Sequence, residues 1–314
     1  YWPLVVARQH KRQDMETLRE RTPGDGVVAG TGTINSDLFG DEAARAMVVH
    51  YDYTVLAGTQ GARNHYKQDR MFELALRFRM PIVLFGEGGG GRPGDDSTGP
   101  AVAFDTHTFT QFSKLSGAVP MIGVNHGRCF AGNTALLACC DVIIATKDST
   151  IAMGGPAMIE GGGLGIYTPE EVGPMSFQVP NGVVDILVDD EAEAVRVAKQ
   201  YLSYFQGAVD TWEAPDQRKL RHVVPENRLR LYDMREIIAT VADVDSVLEV
   251  RAGFGVGVIT CFIRVEGRPM GVIANNPHHL AGAIDSDAAD KGTRFIQLCD
   301  AFDIPILSLM DCPG

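Results

Sequence analysis

The 314-residue sequence lacks three features that would place it in a common class of protein. It has no run of about 18 apolar residues, so it predicts no membrane span. Its six cysteines form no CxxC pair, which predicts reduced, buried thiols, no metal in this segment and a location in the cytoplasm or an organelle matrix. Positive charge is also scarce, with 28 Lys and Arg against 40 Asp and Glu and a net charge of −12. That balance argues against nucleic acid as a partner.

An internal repeat is the strongest sign of organisation in the chain. Residues 48–90 align with residues 272–314 without a gap, at an offset of 224 positions. Chance does not supply so many matches in one ungapped register, so we infer two copies of one domain type rather than a solenoid. Identical pairs include Val48/Val272, Leu56/Leu280, Ala57/Ala281, Gly58/Gly282, Lys67/Lys291, Arg70/Arg294, Phe78/Phe302, Pro81/Pro305, Ile82/Ile306 and Gly90/Gly314.

Both copies predict the same order of elements. A β-rich segment (47–56 and 270–273) precedes an amphipathic helix, and a proline then opens a buried strand (81–86 and 305–310). The apolar faces of the two helices are predicted to be Met71, Leu74, Ala75 and Phe78, and Phe295, Leu298, Cys299 and Phe302.

The first copy continues as alternating helices and strands, which predicts an α/β layered fold. Its further elements are predicted as helices at 102–116, 131–140 and 191–206 and strands at 119–124 and 141–146. We expect an N-terminal extension over 1–23, the first copy over 24–207, a connecting segment over 208–249 and the start of a second copy, incomplete in this chain, over 250–314.

Two glycine-containing segments are candidates for the functional site. The first, GEGGGGRPGDD at 86–96, directly follows a buried strand, and no Gly-Lys-Ser/Thr follows it, so the P-loop pattern fails. Glycine lets backbone N–H groups line a cleft in conformations that side chains would block. This interpretation is favoured over a flexible linker, which stays an alternative.

The second segment, at 125–146, predicts a helix that begins near Gly132. Its first N–H groups, at Ala131, Gly132 and Asn133, have no intrahelical acceptor. Together with the amides of Gly89 and Gly90 they could converge on one oxygen, such as a thioester oxygen that becomes an enolate. Removing one such donor typically costs about 3–4 kcal/mol of transition-state stabilisation. A tight strand-to-helix packing turn is the alternative.

These segments also carry a resemblance to known proteins. GRCFAGNTALLACCDVIIATKDSTIAMGGP resembles the crotonase-superfamily pattern of a glycine-containing helix start, an Ala/Leu-rich helix, an Asp and a strand. GEGGGGRPG resembles the Asp-Ser-Gly-Gly-Ala-Arg segment of acyl-CoA carboxylase carboxyltransferases, and residues 267–314 are similar to their second half almost throughout. Gly88 stands where that family usually has Ser, and Phe130 where it has a small residue. The zinc ribbon of the bacterial acetyl-CoA carboxyltransferase β subunit is absent, and the glycine segment is similar to single-chain, multidomain acyl-CoA carboxylases.

The resemblance implies a crotonase-like (ClpP/crotonase) spiral fold, duplicated, and a reaction. In that family CO2 passes from carboxybiotin to the α-carbon of an acyl-CoA through a thioester enolate. By resemblance, Gly89, Gly90, Ala131 and Gly132 form the oxyanion hole for the acyl-CoA. Gly314 begins a second hole on the biotin side, next to Pro313. Gly88, Gly91, Ala57, Gly58 and Lys67 are further candidates for contacts with coenzyme A. Lys67 and Arg63 could contact its phosphates, but charges on a solvated helix are the favoured interpretation of both.

The resemblance also implies partners. Biotin would arrive on a carrier domain or subunit and be carboxylated by a biotin carboxylase of an ATP-dependent holoenzyme. The two halves would meet across a dimer interface of a homo-oligomer, expected to be a hexamer. Fatty acid metabolism is the implied setting.

Other interpretations stay open. An enoyl-CoA hydratase, an isomerase or an acyl-CoA decarboxylase would keep the fold, and Glu160, Glu170 and Glu171 could supply hydratase glutamates. A non-catalytic CoA-binding or assembly module is a candidate of another class. A Clp-type protease is disfavoured because Ser116, Ser149 and Ser176 lack a glycine-flanked helix-start position. Structural roles are favoured for a further group of polar residues: His126, His278, His279, Asp52, Glu87 and Asp141.

Overall fold

The computed structural model describes residues 5–96, 107–227 and 229–313. Within these residues the chain forms twelve strands and eleven α-helices, divided between two compact units. The strands are β1 Val27–Thr33, β2 Arg45–Tyr51, β3 Ile82–Phe85, β4 Met121–Asn125, β5 Arg128–Phe130, β6 Val142–Thr146, β7 Thr150–Ala152, β8 Ile186–Val188, β9 Leu248–Val250, β10 Val258–Val265, β11 Arg268–Asn275 and β12 Ile306–Leu309. The helices are α1 Met15–Arg21, α2 Ser36–Ala43, α3 Ala62–Phe78, α4 His107–Ser113, α5 Gly132–Leu137, α6 Pro156–Gly161, α7 Met175–Gln178, α8 Glu191–Ser203, α9 Leu220–Val223, α10 Met234–Val241 and α11 Ser286–Ala301.

The first unit comprises the described residues of Tyr1–Ile34, Arg45–Gln178 and Leu187–Ala198. The six-stranded sheet has the order β1-β2-β3-β4-β6-β8, in which β1 is antiparallel to β2 and strands β2, β3, β4 and β6 pair in parallel. Strands β4 and β6 are buried throughout, as expected of continuous apolar runs in a parallel sheet that is covered on both faces. A second, two-stranded sheet pairs β5 with β7 in parallel.

The buried face of α3 differs from the predicted one. Phe72 and Ala75 are fully buried, and the Phe72 ring packs 4.6 Å from the ring of Phe112, whereas Phe78 is 57% exposed. Two polar residues, Asn64 and Gln68, continue the buried stripe. The predicted face was wrong because it was drawn from apolar residues alone. The helix also buries polar side chains that form hydrogen bonds inside the unit.

The second unit comprises Asn35–Ala44, Val179–Ile186 and the described residues of Lys199–Gly314. Its sheet has the order β12-β11-β10-β9, with β11 and β12 parallel and the other pairs antiparallel. Phe262 of β10 lies at the centre of an aromatic cluster, with ring centroids 5.1 to 5.6 Å from those of its neighbours. The neighbours are Tyr201, Tyr204, Phe205 and Phe295. The predicted connecting segment over 208–249 contains α9, α10 and the start of β9.

The predicted repeat extends to the strand register. In the first copy Met47 of β2 pairs with Ile82 of β3, and in the second Gly271 of β11 pairs with Ile306 of β12. Both members of the second pair are displaced by the same 224 positions that align the sequences. The two copies therefore share one backbone arrangement, which confirms the duplication over these elements.

The turn between the paired strand and its helix is also repeated. Leu56–Gly58 and Leu280–Gly282 each form a 3-10 turn in which every residue has a positive φ. Ala57 and Ala281 take φ values of 55° and 53°, a left-handed conformation that is uncommon for a residue with a side chain. Its occurrence in both copies indicates that the surrounding structure imposes it.

Candidate functional site

The tetraglycine segment meets the start of α5, as the sequence predicted. A β-carbon added to Gly90 would lie 2.5 Å from the β-carbon of Ala131 and 3.3 Å from the nitrogen of Gly132. Gly90 also has a φ of +84°, so both the close approach and the backbone conformation require glycine. The tetraglycine segment, residues 88–91, is called the glycine loop below. Two hydrogen bonds fix it to β5: Gly88 N–H donates to the Arg128 carbonyl, and Phe130 N–H donates to the Gly88 carbonyl.

Asn133 joins the two segments, and the sequence analysis missed that role. Its side chain is fully buried. Its Oδ1 accepts from Gly90 N–H at 3.0 Å, and its Nδ2 donates to the carbonyl oxygens of Gly58 and Glu87 at 3.3 Å. The signal that could have revealed this role is a lone amide side chain at the second position of the otherwise apolar helix GNTALL.

Most of the predicted oxyanion donors are already engaged inside the chain. Gly89 N–H donates to the Ala57 carbonyl at 3.0 Å, Gly90 N–H donates to Asn133, and Ala131 N–H donates to the Ala152 carbonyl at 3.1 Å. Of the four predicted donors, only Gly132 N–H has no acceptor among the described residues. The positive φ at Ala57 directs its carbonyl to the glycine loop, which local sequence patterns do not reveal.

A further N–H group without an acceptor in the described part of the chain belongs to Gly91. Gln60 forms a parallel bridge with Gly91, but the bonds of that bridge use the Gly90 carbonyl and the Arg92 N–H. Apart from Gly91 and its chain neighbours, the described residues place no heavy atom within 4 Å of the position that a Gly91 β-carbon would take. The amides of Gly91, Gly132 and Asn133 therefore have no acceptor among the described residues.

Gly58 and its counterpart Gly282 permit a close approach between chain segments. A β-carbon on Gly58 would lie 2.6 Å from the Glu87 carbonyl oxygen, and one on Gly282 would lie 2.8 Å from the Asp311 carbonyl oxygen. The two contacts are related by the same offset of 224. In this structure Ala57 and Gly58 support the glycine loop through their carbonyl groups.

A row of buried polar side chains, linked by hydrogen bonds, lies next to Gly132. Gln60 Nε2 donates to the Tyr51 hydroxyl at 2.8 Å, and that hydroxyl donates to Gln68 Oε1 at 2.8 Å. Burial raises the pKa of Tyr51, so the hydroxyl keeps its proton and remains a donor. The Gln60 Oε1 atom would overlap a β-carbon on Gly132. A bulky residue at position 132 would therefore disturb this buried row as well as the cleft.

Arg92 directly follows the glycine loop and forms a buried ion pair with Asp25. Its Nη2 donates to the Thr59 carbonyl at 2.7 Å, and its side chain is 2% exposed. Burial raises the pKa of Asp25, and the nearby Arg92 charge opposes that rise. Since removing one partner of a buried pair leaves an uncompensated charge, Arg92 is a structural anchor of the loop.

Lys67 is engaged within its own unit. Its ammonium donates to the Gly24 and Val27 carbonyl oxygens, and burial lowers its pKa. A contact between Lys67 and coenzyme A would have to break these bonds, so a structural role is favoured for Lys67. Arg63 on the same helix is exposed and stays the better candidate for a phosphate contact.

Several residues expected to be structural have such partners. Asp52 accepts from Thr54 N–H in a turn, Asp141 accepts from Met121 N–H, and His279 pairs with Asp285 at 2.7 Å. Two others of this group, Glu87 and His126, lie beside His50, which the sequence analysis did not single out. Each of the three offers one ligand atom within 4.8 Å of the others, and together they could hold a metal ion.

The predicted biotin side falls near the end of the described chain. Pro313 is exposed, and Gly314 lies outside the described residues. The second oxyanion hole therefore stays a prediction. Among the described residues, no helix combines the length and the apolar character that crossing a bilayer requires.

Comparisons with known proteins point to one family. Residues 2–314 match the profile of the carboxyl transferase domain. The methylmalonyl-CoA carboxyltransferase 12S subunit of Propionibacterium freudenreichii is 32% identical, over 98% of this chain and 59% of that protein. The biotin-dependent long-chain acyl-coenzyme A carboxylase beta4 subunit of Mycobacterium tuberculosis is 33% identical, over 99% of this chain and 63% of that protein. The chain thus spans about three-fifths of the length of these curated relatives.

A solved structure described as a single-chain, multi-domain long-chain acyl-CoA carboxylase is 57% identical to this chain, with a TM-score of 0.96. The match covers 100% of this chain and 32% of that protein.

Proposed function

The chain belongs to the carboxyl transferase domain family and has its α/β crotonase-like fold, and from this premise we propose that it transfers a carboxyl group from carboxybiotin to the α-carbon of an acyl-CoA. The observation that carries the proposal is the meeting of the tetraglycine loop with the start of α5 around Asn133. Main-chain amides of this arrangement have no acceptor among the described residues, which suits a reaction whose charge develops on a thioester oxygen.

Carboxybiotin, when bound, supplies CO2 and a ureido anion that can remove the α-proton of the acyl-CoA. The role of this chain is to hold the thioester oxygen as the acyl-CoA becomes an enolate. We assign that contact to the N–H of Gly132, with the N–H of Gly91 as the second donor, because neither N–H has an acceptor among the described residues. The bonded amides of Gly89, Gly90 and Ala131 would then fix the loop, and they contact the oxyanion only if the loop rearranges when the substrate binds.

The proposed substrate class is a long-chain acyl-CoA. Its support is the 57% identity to a long-chain acyl-CoA carboxylase, against 28–32% for three relatives named for methylmalonyl-CoA or propionyl-CoA. The proposed partners are a biotin carboxylase and a biotin carrier, a proposal supported by the similarity to a subunit of a biotin-dependent carboxylase. A hexameric assembly is proposed from the 12S transcarboxylase, whose structure is described as a hexamer.

The test is incorporation of labelled bicarbonate by the holoenzyme that contains this chain, with palmitoyl-CoA and propionyl-CoA as competing substrates. We expect ATP- and biotin-dependent incorporation, with a higher kcat/KM for palmitoyl-CoA. A preference for propionyl-CoA would contradict the substrate class alone. Absence of incorporation from either substrate in a holoenzyme with active biotin carboxylation would contradict the proposed reaction.

A hydratase or isomerase is the second candidate function, and it would need glutamates as catalytic groups. Glu170 pairs with Arg128, Glu171 caps the turn that begins after Thr168, and Glu160 is exposed. The surroundings of these carboxylates favour structural roles. Hydration of an enoyl-CoA by the purified protein would support the second candidate, and binding of acyl-CoA without turnover would support a non-catalytic module.

A further inference from the structure

Three side chains gather at the carboxyl ends of three neighbouring parallel strands. His50 is near the end of β2, Glu87 follows β3 by two residues, and His126 directly follows β4. The strand register pairs His50 with Phe85 and Phe85 with Val124, so the residues that leave β3 and β4 emerge beside His50. Ligand sites of parallel α/β sheets characteristically lie at this edge.

The distances between these side chains are close to those that one metal ion requires. One ligand atom from each residue lies within 4.8 Å of the others. His126 Nε2 is 3.5 Å from Glu87 Oε1, and the imidazole rings of His50 and His126 are 6.3 Å apart in a stacked arrangement. Zinc binds imidazole nitrogen and carboxylate oxygen at about 2.0–2.2 Å, so two ligands of one tetrahedral ion are about 3.4 Å apart. Closing the widest separation needs only a small movement of a half-buried imidazole.

Glu87 supplies independent evidence of a ligand. Its side chain is 3% exposed. Its Oε1 accepts from His126 N–H at 2.6 Å, but its Oε2 is buried and has no hydrogen-bond partner within the described residues. A buried carboxylate oxygen without a partner is costly, because it has lost its water and gained nothing in exchange. A cation between the two imidazoles would give that oxygen a partner.

The histidines are also suited to bind a cation. Burial lowers the pKa of His50, and the Glu87 charge only partly opposes that effect. This shift favours the neutral imidazole, which is the form that coordinates metals. On the other side, Glu191 Oε1 lies 3.6 Å from His126 Nδ1. A carboxylate at that position would orient the ring so that the opposite nitrogen faces Glu87.

We propose that His50, Glu87 and His126 bind one divalent transition-metal ion, with zinc as the favoured occupant. Two imidazole nitrogens and one carboxylate oxygen are a ligand set typical of zinc, whereas magnesium and calcium prefer oxygen ligands alone. From the sequence we expected no metal in this segment. That expectation rested on cysteine spacing, whereas these ligands lie at the ends of three separate strands.

The site would connect to the glycine loop through the backbone of Glu87. The Glu87 carbonyl accepts from Asn133 Nδ2, and Gly88 is the next residue. An ion that held the Glu87 side chain would tie the beginning of the loop to the ends of β2 and β4. The proposed role is to position this loop, and the metal site does not depend on the proposed carboxyl transfer.

The experiment measures zinc in the chelator-stripped protein, in its native assembly, after dialysis against micromolar zinc chloride at pH 7.5. We expect one zinc ion per chain by mass spectrometry of the metal content, and little manganese or magnesium in parallel dialyses. Glu87→Gln and His126→Ala should each weaken zinc binding by about tenfold or more, since each removes a ligand. Zinc should raise the unfolding temperature of the wild-type protein, and should raise it less in both variants.

His279→Ala is the matched control, because His279 also pairs with a carboxylate but belongs to no such cluster among the described residues. It should bind zinc as the wild type does. Circular dichroism in the presence of chelator separates lost binding from lost fold in every variant. Absence of zinc from the folded wild-type protein, or equal zinc in the wild type and in folded Glu87→Gln, would overturn the proposal.

Discussion

Replacing Asn133 tests the geometry on which the glycine loop depends. Asn133→Ala removes one acceptor and two donor bonds and leaves Gly90 N–H and two carbonyl oxygens without their partner. An unsatisfied buried polar group costs about 1–3 kcal/mol. We place the N–H bond of 3.0 Å near the upper end of that range and the two carbonyl bonds of 3.3 Å near the lower end. The sum is a loss of about 4–5 kcal/mol, a large part of the stability of a typical domain.

Asn133→Asp separates the two halves of this role. The carboxylate keeps an acceptor for Gly90 N–H but puts an oxygen against the Gly58 and Glu87 carbonyl oxygens. We therefore expect Asp to be at least as destabilising as Ala, although it is nearly the same size. Equilibrium denaturation monitored by fluorescence and circular dichroism gives both free energies of unfolding. Two folded variants within about 1 kcal/mol of the wild type, below the cost of one unsatisfied group, would refute the reasoning.

Other changes give clear expectations. Gly91→Ala should unfold at the wild-type temperature because its β-carbon enters open space, whereas Gly90→Ala should lose several degrees because it meets Ala131 at a positive φ; thermal scans compare the two. Lys67→Met should lower the free energy of unfolding while leaving the KM for acyl-CoA unchanged, and a KM raised tenfold in a stable variant would restore Lys67 as a coenzyme A contact. Burial lowers the pKa of His65, so its folded form binds fewer protons than the unfolded chain; stability should fall as pH drops below about 6.5, less so in His65→Gln, as denaturation at several pH values would measure.

Much of the fold could be predicted from the sequence because its signals are local or repeated. The offset of 224 positions predicted two copies, and the same offset relates the strand pairs Met47–Ile82 and Gly271–Ile306. The buried strand β3 followed from an apolar run that begins after a proline. The prediction of a second buried strand was wrong for β12, which alternates exposed and half-buried residues. The α3 face was wrong at Phe78 because polar side chains occupy part of the buried stripe.

The meeting of the two glycine-containing segments was predictable, whereas their detailed bonding was not. Glycine loops after neighbouring parallel strands must emerge at one edge, so the meeting of Gly90 with α5 could be foreseen. Which amides remain available depends on the left-handed turn at Ala57 and on the side-chain conformation of Asn133. Both are set by contacts distant in sequence, and no local motif encodes them.

The most direct test of the central claim removes one main-chain donor without adding a side chain. Replacing the amide of Gly132 by an ester, through incorporation of glycolic acid at that position, deletes an N–H that has no acceptor among the described residues. The same change at Gly89 is the control, because that N–H serves the Ala57 carbonyl and its loss should chiefly affect stability. We predict a fall in carboxylation kcat of about 10²–10³-fold for the Gly132 ester, with the fold retained. A folded Gly132 ester with the wild-type kcat would contradict the claim that this amide holds the enolate oxygen.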